Sequence, residues 1–437
     1  MTTADETPFD SAEPRHNPLR VLFLDLNSYF ASVEQQLEPS LRGKPVAVAP
    51  VMADGGCCVA ASYEAKAFGV RTGTRVGEAK RLCPGIHIVK TRHRAYVEMH
   101  HKIIEAVETC LPVEEVLSID EMACRLARDE RDPAKAVELA HRVKRAIASR
   151  VGECLRCSIG LAPNRVLGKL ATDMQKPDGL VVIESGELPG RLVHLKLQDF
   201  PGIGPRMVQR LRAFAIDTVE DLYARNEEQL ERAWGSVLGR YWHRWLRGQE
   251  TVHRTSRTRS VGHQHVLPPE ARNPEAAWGI CVRLLHKAAA RMRHLGYYAQ
   301  RLTLVVACGR RRPSTWGPRS EEAESRAWTG AASLEGGKQD TLTLASELRA
   351  LWEKRPPGDP TFVGVTLHDL LPAASVTLPL FKEEQQRERL SRLIDELDAS
   401  HGPLTVYTGA MHEARKSAAG GIAFRSVPDL DLPDSVA

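Results

Sequence analysis

Three acidic side chains, Asp25 and the adjacent Asp120 and Glu121, each follow a short apolar run, Val21 to Leu24 before the first and Val116 to Ile119 before the pair. Single carboxylates at strand ends are commonly solvated or capping groups. If the two strands are neighbours, however, three oxygen donors converge, a set suited to Mg²⁺ held by a few carboxylates together with substrate phosphates. Two such ions about 3.5 to 4 Å apart activate an attacking hydroxyl and stabilise a leaving pyrophosphate. That is the chemistry of nucleotidyl transfer.

The elements that must position these acids are legible as periodicities. Val21 to Leu24 reads as a buried strand, and Phe30, Val33 and Leu37 mark one face of a helix behind it. Pro45 to Val48, Val116 to Glu121, Cys157 to Leu161 and Leu180 to Ile183 are further strand candidates. Tyr63 to Phe68, Arg94 to Leu111 and Pro133 to Arg150 have helical spacing. Strands interleaved with long helices predict an α/β or α+β core over residues 18 to 190. Residues 191 to 250 change to short helices broken by glycine, centred on Pro201 to Pro205. A second small α/β domain follows: helix Pro274 to His294, strand Arg301 to Ala307, a Gly-rich loop over Gly330 to Lys338, helix Thr341 to Lys354 and strand Thr361 to Leu367. Residues 1 to 17 read as a flexible leader, and the chain after Leu371 as a tail with short helical pieces.

Five motifs in order, DLNSYFASVE (Asp25 to Glu34), SYEAKAFGVR (Ser62 to Arg71), SIDE (Ser118 to Glu121), SIGLAPN (Ser158 to Asn164) and DMQKPDG (Asp173 to Gly179), resemble those of the Y-family translesion DNA polymerases, of the bacterial polymerase IV and polymerase V type. The resemblance spans roughly residues 20 to 370. It implies an α+β multidomain, right-hand fold: palm over 18–30 and 91–190, fingers over 31–90, helical thumb over 191–250, little finger over 251–371, and a tail over 372–437. It makes Asp25, Asp120 and Glu121 the catalytic acids and, with the backbone carbonyl of Leu26, the ligands of two Mg²⁺. Phe30 falls at the steric-gate position, where an aromatic ring beneath the sugar excludes a 2′-hydroxyl; without the motif it reads as a core aromatic. Tyr63, Lys66 and Lys176 match positions that hold the incoming triphosphate, and Val59 and Ala60 positions over the nascent base pair. Lys66 departs from the family's usual Arg, which binds oxygens bidentately where Lys acts as a point charge. Asn27 replaces the second Asp usual in the polymerase IV type.

The net charge of +5 over 437 residues identifies no partner. It resolves into −1 over residues 1–239 (32 basic, 33 acidic), +12 over 240–312 (15 and 3) and −6 over 313–437 (13 and 19). The basic block suits a polyanion, or is a solvated helix face. Under the resemblance it is the little finger, with Arg257, Arg259, Arg283, Lys287, Arg291 and Arg293 contacting phosphates of a primer–template. Gly202 and Gly204 resemble a helix-hairpin-helix turn whose amides approach a phosphate, although glycine there also suits helix capping. Leu378, Leu380 and Phe381 resemble the Gln-Leu-x-Leu-Phe peptide that binds the bacterial sliding clamp, with Thr377 in place of Gln; a small strand packed on the little finger is the alternative.

The nine cysteines are scattered, and Cys154 and Cys157 have no second pair at zinc-finger spacing, so reduced thiols are expected. No run approaches the apolar length of a membrane span and none resembles a signal peptide. The expected protein is a cytoplasmic, monomeric, low-fidelity DNA polymerase acting on primer–template and dNTPs. The competing readings are an inactive family member that recruits another polymerase and a helix-hairpin-helix repair scaffold.

Overall fold

The computed structural model describes residues 18–251, 260–308, 327–377 and 379–416. The leader, Arg257, Arg259 and Leu378 therefore lie outside the described residues. The chain forms two compact units, the first ending at His253 and the second beginning at Arg254.

The first unit is built on a five-stranded sheet. Its strands are β1 (Val21–Leu26), β5 (Val113–Val116), β6 (Glu121–Arg125), β7 (Cys157–Ala162) and β8 (Leu180–Val182), in the order β5-β6-β1-β7-β8. Every residue of β1 and β7 is buried, which explains why both read as unbroken runs and not as alternating patterns. A smaller sheet, β3-β2-β4, joins β2 (Val46–Ala49) to β3 (Ala60–Ala61) and β4 (His87–Lys90). Around these sheets lie α1 (Tyr29–Leu37), α2 (Tyr63–Lys66), α3 (Val76–Leu82), α4 (His93–Glu108), α5 (Pro133–Arg150) and α6 (Arg165–Met174). Asn164 caps α6 by accepting from the Leu167 amide. The helix seats against β1 and β7 at unusually short range: a Cβ on Gly160 would lie 2.1 Å from the Gly168 carbonyl oxygen, and one on Gly168 would lie 3.0 Å from the Phe23 Cβ. That close approach brings the polar side of α6 over the end of β1.

Four short helices complete the unit: α7 (Pro205–Arg212), α8 (Val219–Ala224), α9 (Glu227–Trp234) and α10 (Leu238–Leu246). They share a core with α6 in which Phe200, Trp234, Trp242 and Trp245 pack together. The second unit is an antiparallel sheet, β11-β10-β12-β9, of β9 (Ser260–Val266), β10 (Tyr297–Cys308), β11 (Ala327–Lys338) and β12 (Pro360–His368), extended at β10 by the short β13 (Leu371–Pro372). Helices α11 (Pro274–His294) and α12 (Thr341–Glu353) bury their apolar faces against one side of it.

Three expectations need correction. Val116 to Glu121 is not one strand: β5 ends at Val116, Ser118 to Asp120 form a turn in which the Ser118 hydroxyl donates to Asp120 Oδ1 at 2.5 Å, and β6 begins at Glu121. The segment Gly330 to Lys338 is not a loop but most of β11, because its backbone is paired along β10 and the Trp328 ring covers the space where Gly330 lacks a side chain. After Leu371 the chain contains the 20-residue helix α13 (Lys382–His401), which packs on α12 and holds Arg293 through Asp395. It is part of the second unit and not a loose tail. All nine cysteines are free thiols, as expected.

Candidate active site

Asp25 and Glu121 are directly opposed in the antiparallel pairing of β1 with β6. Opposed residues in such a pair project from the same face with their side chains adjacent. The carbonyl of Asp120 accepts the Leu26 amide at 2.8 Å, so the third acid is tied to the same strand end. The three acids expected from sequence are thus brought together, by a hairpin turn and not by two strand ends. His100 on α4 braces that turn, its Nδ1 lying 2.7 Å from the Ile119 carbonyl oxygen.

Opposed carboxylates repel, and burial aggravates the repulsion. Asp120 shows this: burial first, then the neighbouring charges of Asp25 and Glu121, push its pKa above the usual carboxylate range. The compensating charge comes from α6. The Lys169 ammonium contacts Asp25 Oδ2 and lies 3.0 Å from Glu121 Oε1 and 3.3 Å from Asp173 Oδ2. Burial lowers the Lys169 pKa, but the Asp25, Glu121 and Asp173 carboxylates outweigh it and the net shift is upward. Lys176 lies 2.8 Å from Asp25 Oδ1 and 2.9 Å from Asp173 Oδ1. Lys169 and Asp173 were not singled out from sequence. Their signal was present, since Lys169 and Asp173 follow the i, i+4 spacing of one helix face opposite the apolar stripe of Leu167, Leu170 and Ala171, and Lys176 lies just beyond the end of that helix.

Tyr63, Lys66 and Lys176, expected from sequence to hold a nucleotide, also lie near one another. The Tyr63 phenol is raised in pKa by burial and feels the charges of Lys176, Asp25 and Asp173. Lys66 sits 4.2 Å from the Tyr63 ring centroid, its pKa lowered by burial and by Lys176. A phenol and two ammonium groups therefore stand together beside Asp25. Half-buried Val59 and buried Ala60 lie at the strand leading into α2, the Val59 amide donating to the Val48 carbonyl. Phe30 is half-buried at the start of α1, its ring stacked on Tyr96 at a centroid distance of 4.5 Å. Asn27 is structural: Oδ1 accepts the Asp178 amide at 2.7 Å and Nδ2 donates to Ser158 Oγ at 3.1 Å, which ties down the loop carrying Lys176.

Among the described residues, no group of three or more His, Cys, Asp or Glu side chains already stands in a metal-holding arrangement. At the acids it is an ammonium that occupies the shared position. A partly buried nest of carboxylate oxygens closing on one cation is nevertheless the donor chemistry of a hard divalent ion.

The polyanion residues divide. Gly202 adopts a positive φ of 94° in the turn before α7, and Gly204 is that helix's N-cap. In the basic block, Arg240 and Arg244 pair with Glu231 and Glu227 in the first unit. In the second, Arg293 pairs with Asp395 on α13, and half-buried Arg283 donates to the Ala414 carbonyl. Lys287 is buried, and with Arg291 it faces His263 on β9. The +12 block is thus not a single exposed patch: it straddles both units and much of its charge is engaged internally. A surface not anticipated from sequence is the sheet face opposite α11 and α12. There Ser260, His368, Arg301 and Ser333 form one cross-strand row, and Gly262, Thr366, Thr303 and Ala331 the next. No helix long and apolar enough to cross a membrane occurs among the described residues.

Acids on paired strands, a phenol and ammonium groups thus stand in one cluster. Models of the impB/mucB/samB family match residues 24–173, and models of its C-terminal domain residues 258–380. The DNA polymerase IV of Moorella thermoacetica is 34% identical over 396 residues, covering 89% of this chain and 94% of that protein. That of Pelotomaculum thermopropionicum is 32% identical over 388 residues, covering 87% and 92%. Among solved structures, a chimera of the Y-family DNA polymerases Dbh and Dpo4 aligns with a TM-score of 0.66 at 25% identity, over 81% of this chain and 99% of the chimera. The chain belongs to the impB/mucB/samB family, that of the Y-family DNA polymerases.

Proposed function

We propose that this chain is a template-directed DNA polymerase of low fidelity that extends primers past lesions, joining dNTPs to a primer 3′-hydroxyl with release of pyrophosphate. The observation that carries the reading is the cross-strand pair of Asp25 and Glu121, with Asp120 bonded to the same strand end. Asp25, Asp120, Glu121 and the Leu26 carbonyl would hold two Mg²⁺, exchanging them for the Lys169 ammonium. Bound there, the ions supply Lewis-acid activation of the hydroxyl and charge stabilisation of the leaving group. The chain's own groups do the rest. Tyr63, Lys66 and Lys176 bind and orient the triphosphate, Phe30 underlies the sugar, and Val59 and Ala60, being small, leave room above a damaged base.

In this reading residues 18–30 and 91–190 are the palm, 31–90 the fingers, 191–250 the thumb and 251–371, extended by α13, the little finger. Duplex phosphates are gripped by the Gly202–Gly204 turn and by the second unit. There the small, polar open face of the sheet, with Arg301, is a better surface than the inward-turned Arg283 and Arg293, while Arg291, Arg257 and Arg259 add positive potential. Leu380 and Phe381, 85% and 66% exposed, are apolar anchors for a sliding clamp.

The deciding experiment is primer extension with dNTPs and Mg²⁺, comparing wild type with Asp120→Ala. Extension by wild type alone is expected. Equal incorporation by both, or none by either, removes the polymerase reading.

A further inference from the structure

Glu34 on α1 is completely buried, with 0% exposure. A carboxylate taken from water is costly unless its oxygens are met by donors. Here Oε1 accepts Arg92 Nε at 3.1 Å and the Tyr96 hydroxyl at 2.7 Å, while Oε2 accepts Arg92 Nη2. Tyr96, on α4, is itself wholly buried. Its main-chain carbonyl accepts the Tyr29 hydroxyl at 2.7 Å, and its ring lies against Phe30 with an interplanar angle of 19°. Tyr29, Phe30 and Glu34 all belong to α1. One helix therefore grips one tyrosine by its hydroxyl, its carbonyl and the face of its ring.

A buried ion pair is a weak source of stability, because apolar residues of the same volume often serve as well. What the bidentate Arg92–Glu34 pair adds is direction: it fixes the carboxylate, and the carboxylate fixes the Tyr96 ring plane. Half-buried Phe30 rests on that plane. Without the stack its ring is free to tilt about its side-chain torsions, and an edge that tilts away leaves room under a sugar.

We propose that Tyr96, tethered by Glu34 and Arg92, sets the position of the Phe30 ring and so sets the discrimination between deoxyribo- and ribonucleotides. Tyr96 and Glu34 are then positioning residues: they touch no substrate and act through Phe30. The inference rests on Phe30 being the sugar gate.

The test is single-nucleotide incorporation, with kcat/KM measured for a dNTP and the rNTP of the same base. The proteins are the full-length wild type, Phe30→Ala, Tyr96→Leu, Tyr96→Phe, Glu34→Gln and the Phe30→Ala/Tyr96→Leu double variant. Tyr96→Leu should lower the dNTP/rNTP ratio by about 3- to 10-fold, the worth of one aromatic stack, mainly by raising rNTP use. Tyr96→Phe keeps the stack but loses the tether, and with Glu34→Gln should fall between it and wild type; these two also serve if Tyr96→Leu does not fold. The double variant should discriminate no worse than Phe30→Ala alone, since both act through one ring. A Tyr96→Leu enzyme that loses dNTP and rNTP use in equal proportion, or a double variant whose loss is the product of the single ones, overturns the proposal. A Phe30→Ala enzyme with unchanged discrimination removes the gate reading itself, and the inference with it.

Discussion

Replacing Lys169 with Met keeps the stem of the side chain and deletes only the charge that three carboxylates share. At about 3 Å and an effective dielectric near 20, each ammonium–carboxylate contact is worth about 5 kcal/mol of Coulomb attraction, most of it offset by removing the charges from water. Leaving a buried carboxylate without its partner costs about 3 to 5 kcal/mol. Here the figure is reduced, because the Glu121 and Asp173 side chains are 28% and 36% exposed and Lys176 still pairs with Asp25. The expected loss is about 2 to 4 kcal/mol at neutral pH in chelator, read as a lower urea midpoint for the first unit's transition. Because the Lys169 pKa is raised by folding, the contribution is complete below the unfolded value of about 10.4 and fades only as pH climbs towards the folded one. Added Mg²⁺ should narrow the gap, since the variant offers the cation the same oxygens without a competing ammonium. An Lys169→Met protein with the wild-type midpoint in chelator would refute the counter-ion argument; a gap unchanged by Mg²⁺ would refute the competition between ammonium and metal.

His100, His263 and His286 are each lowered to about 4, burial being the first cause in all three. Their unfolded forms take up a proton near pH 6.5, so stability is complete above that and is lost as pH falls towards 4, by up to about 1.4 kcal/mol per pH unit for each; melting curves from pH 7.5 to 5 should show a shallower acid slope for His100→Gln. Gly160→Ala should lower the melting temperature and extension together, because its Cβ lies 2.1 Å from the Gly168 carbonyl and forces α6, with Lys169, away from the acids. Leu380→Ala with Phe381→Ala should abolish stimulation by a sliding clamp in extension assays while leaving clamp-free synthesis and unfolding unchanged, both side chains being exposed. Arg301→Ala should weaken primer–template binding and flatten its dependence on salt by about one counterion, as measured by anisotropy titration.

The three acids were legible because they lie in short contiguous motifs. Asp25 ends a buried run, and Asp120 with Glu121 follows another, so type and local order carried the signal. The hairpin turn between β5 and β6 was missed because Val116, Leu117 and Ile119 read as a strand and outweighed the turn-forming Ser118 and Asp120; the strands on either side are fixed by pairing with each other and with β1. Strand β11 was missed for the opposite reason. Its glycines argue for a loop, and only the partner strand and the Trp328 ring make an extended chain favourable there.

Charge was the least legible property, and the reason is geometric. Counting located an excess of cations in residues 240–312, but a count does not register that Arg293 faces Asp395, 102 positions later in the chain, or that Arg240 and Arg244 answer acids on α9. The same blindness hid Lys169, whose three carboxylate partners come from β1, β6 and its own helix. Clustered carboxylates must be met by some cation, and the group that meets them here is selected by where the fold places an ammonium. Sequence motifs therefore point to candidate residues, while the groups that face them, Lys169 beside the acids and Tyr96 with Glu34 and Arg92 beside Phe30, become visible only when distant elements are brought into contact.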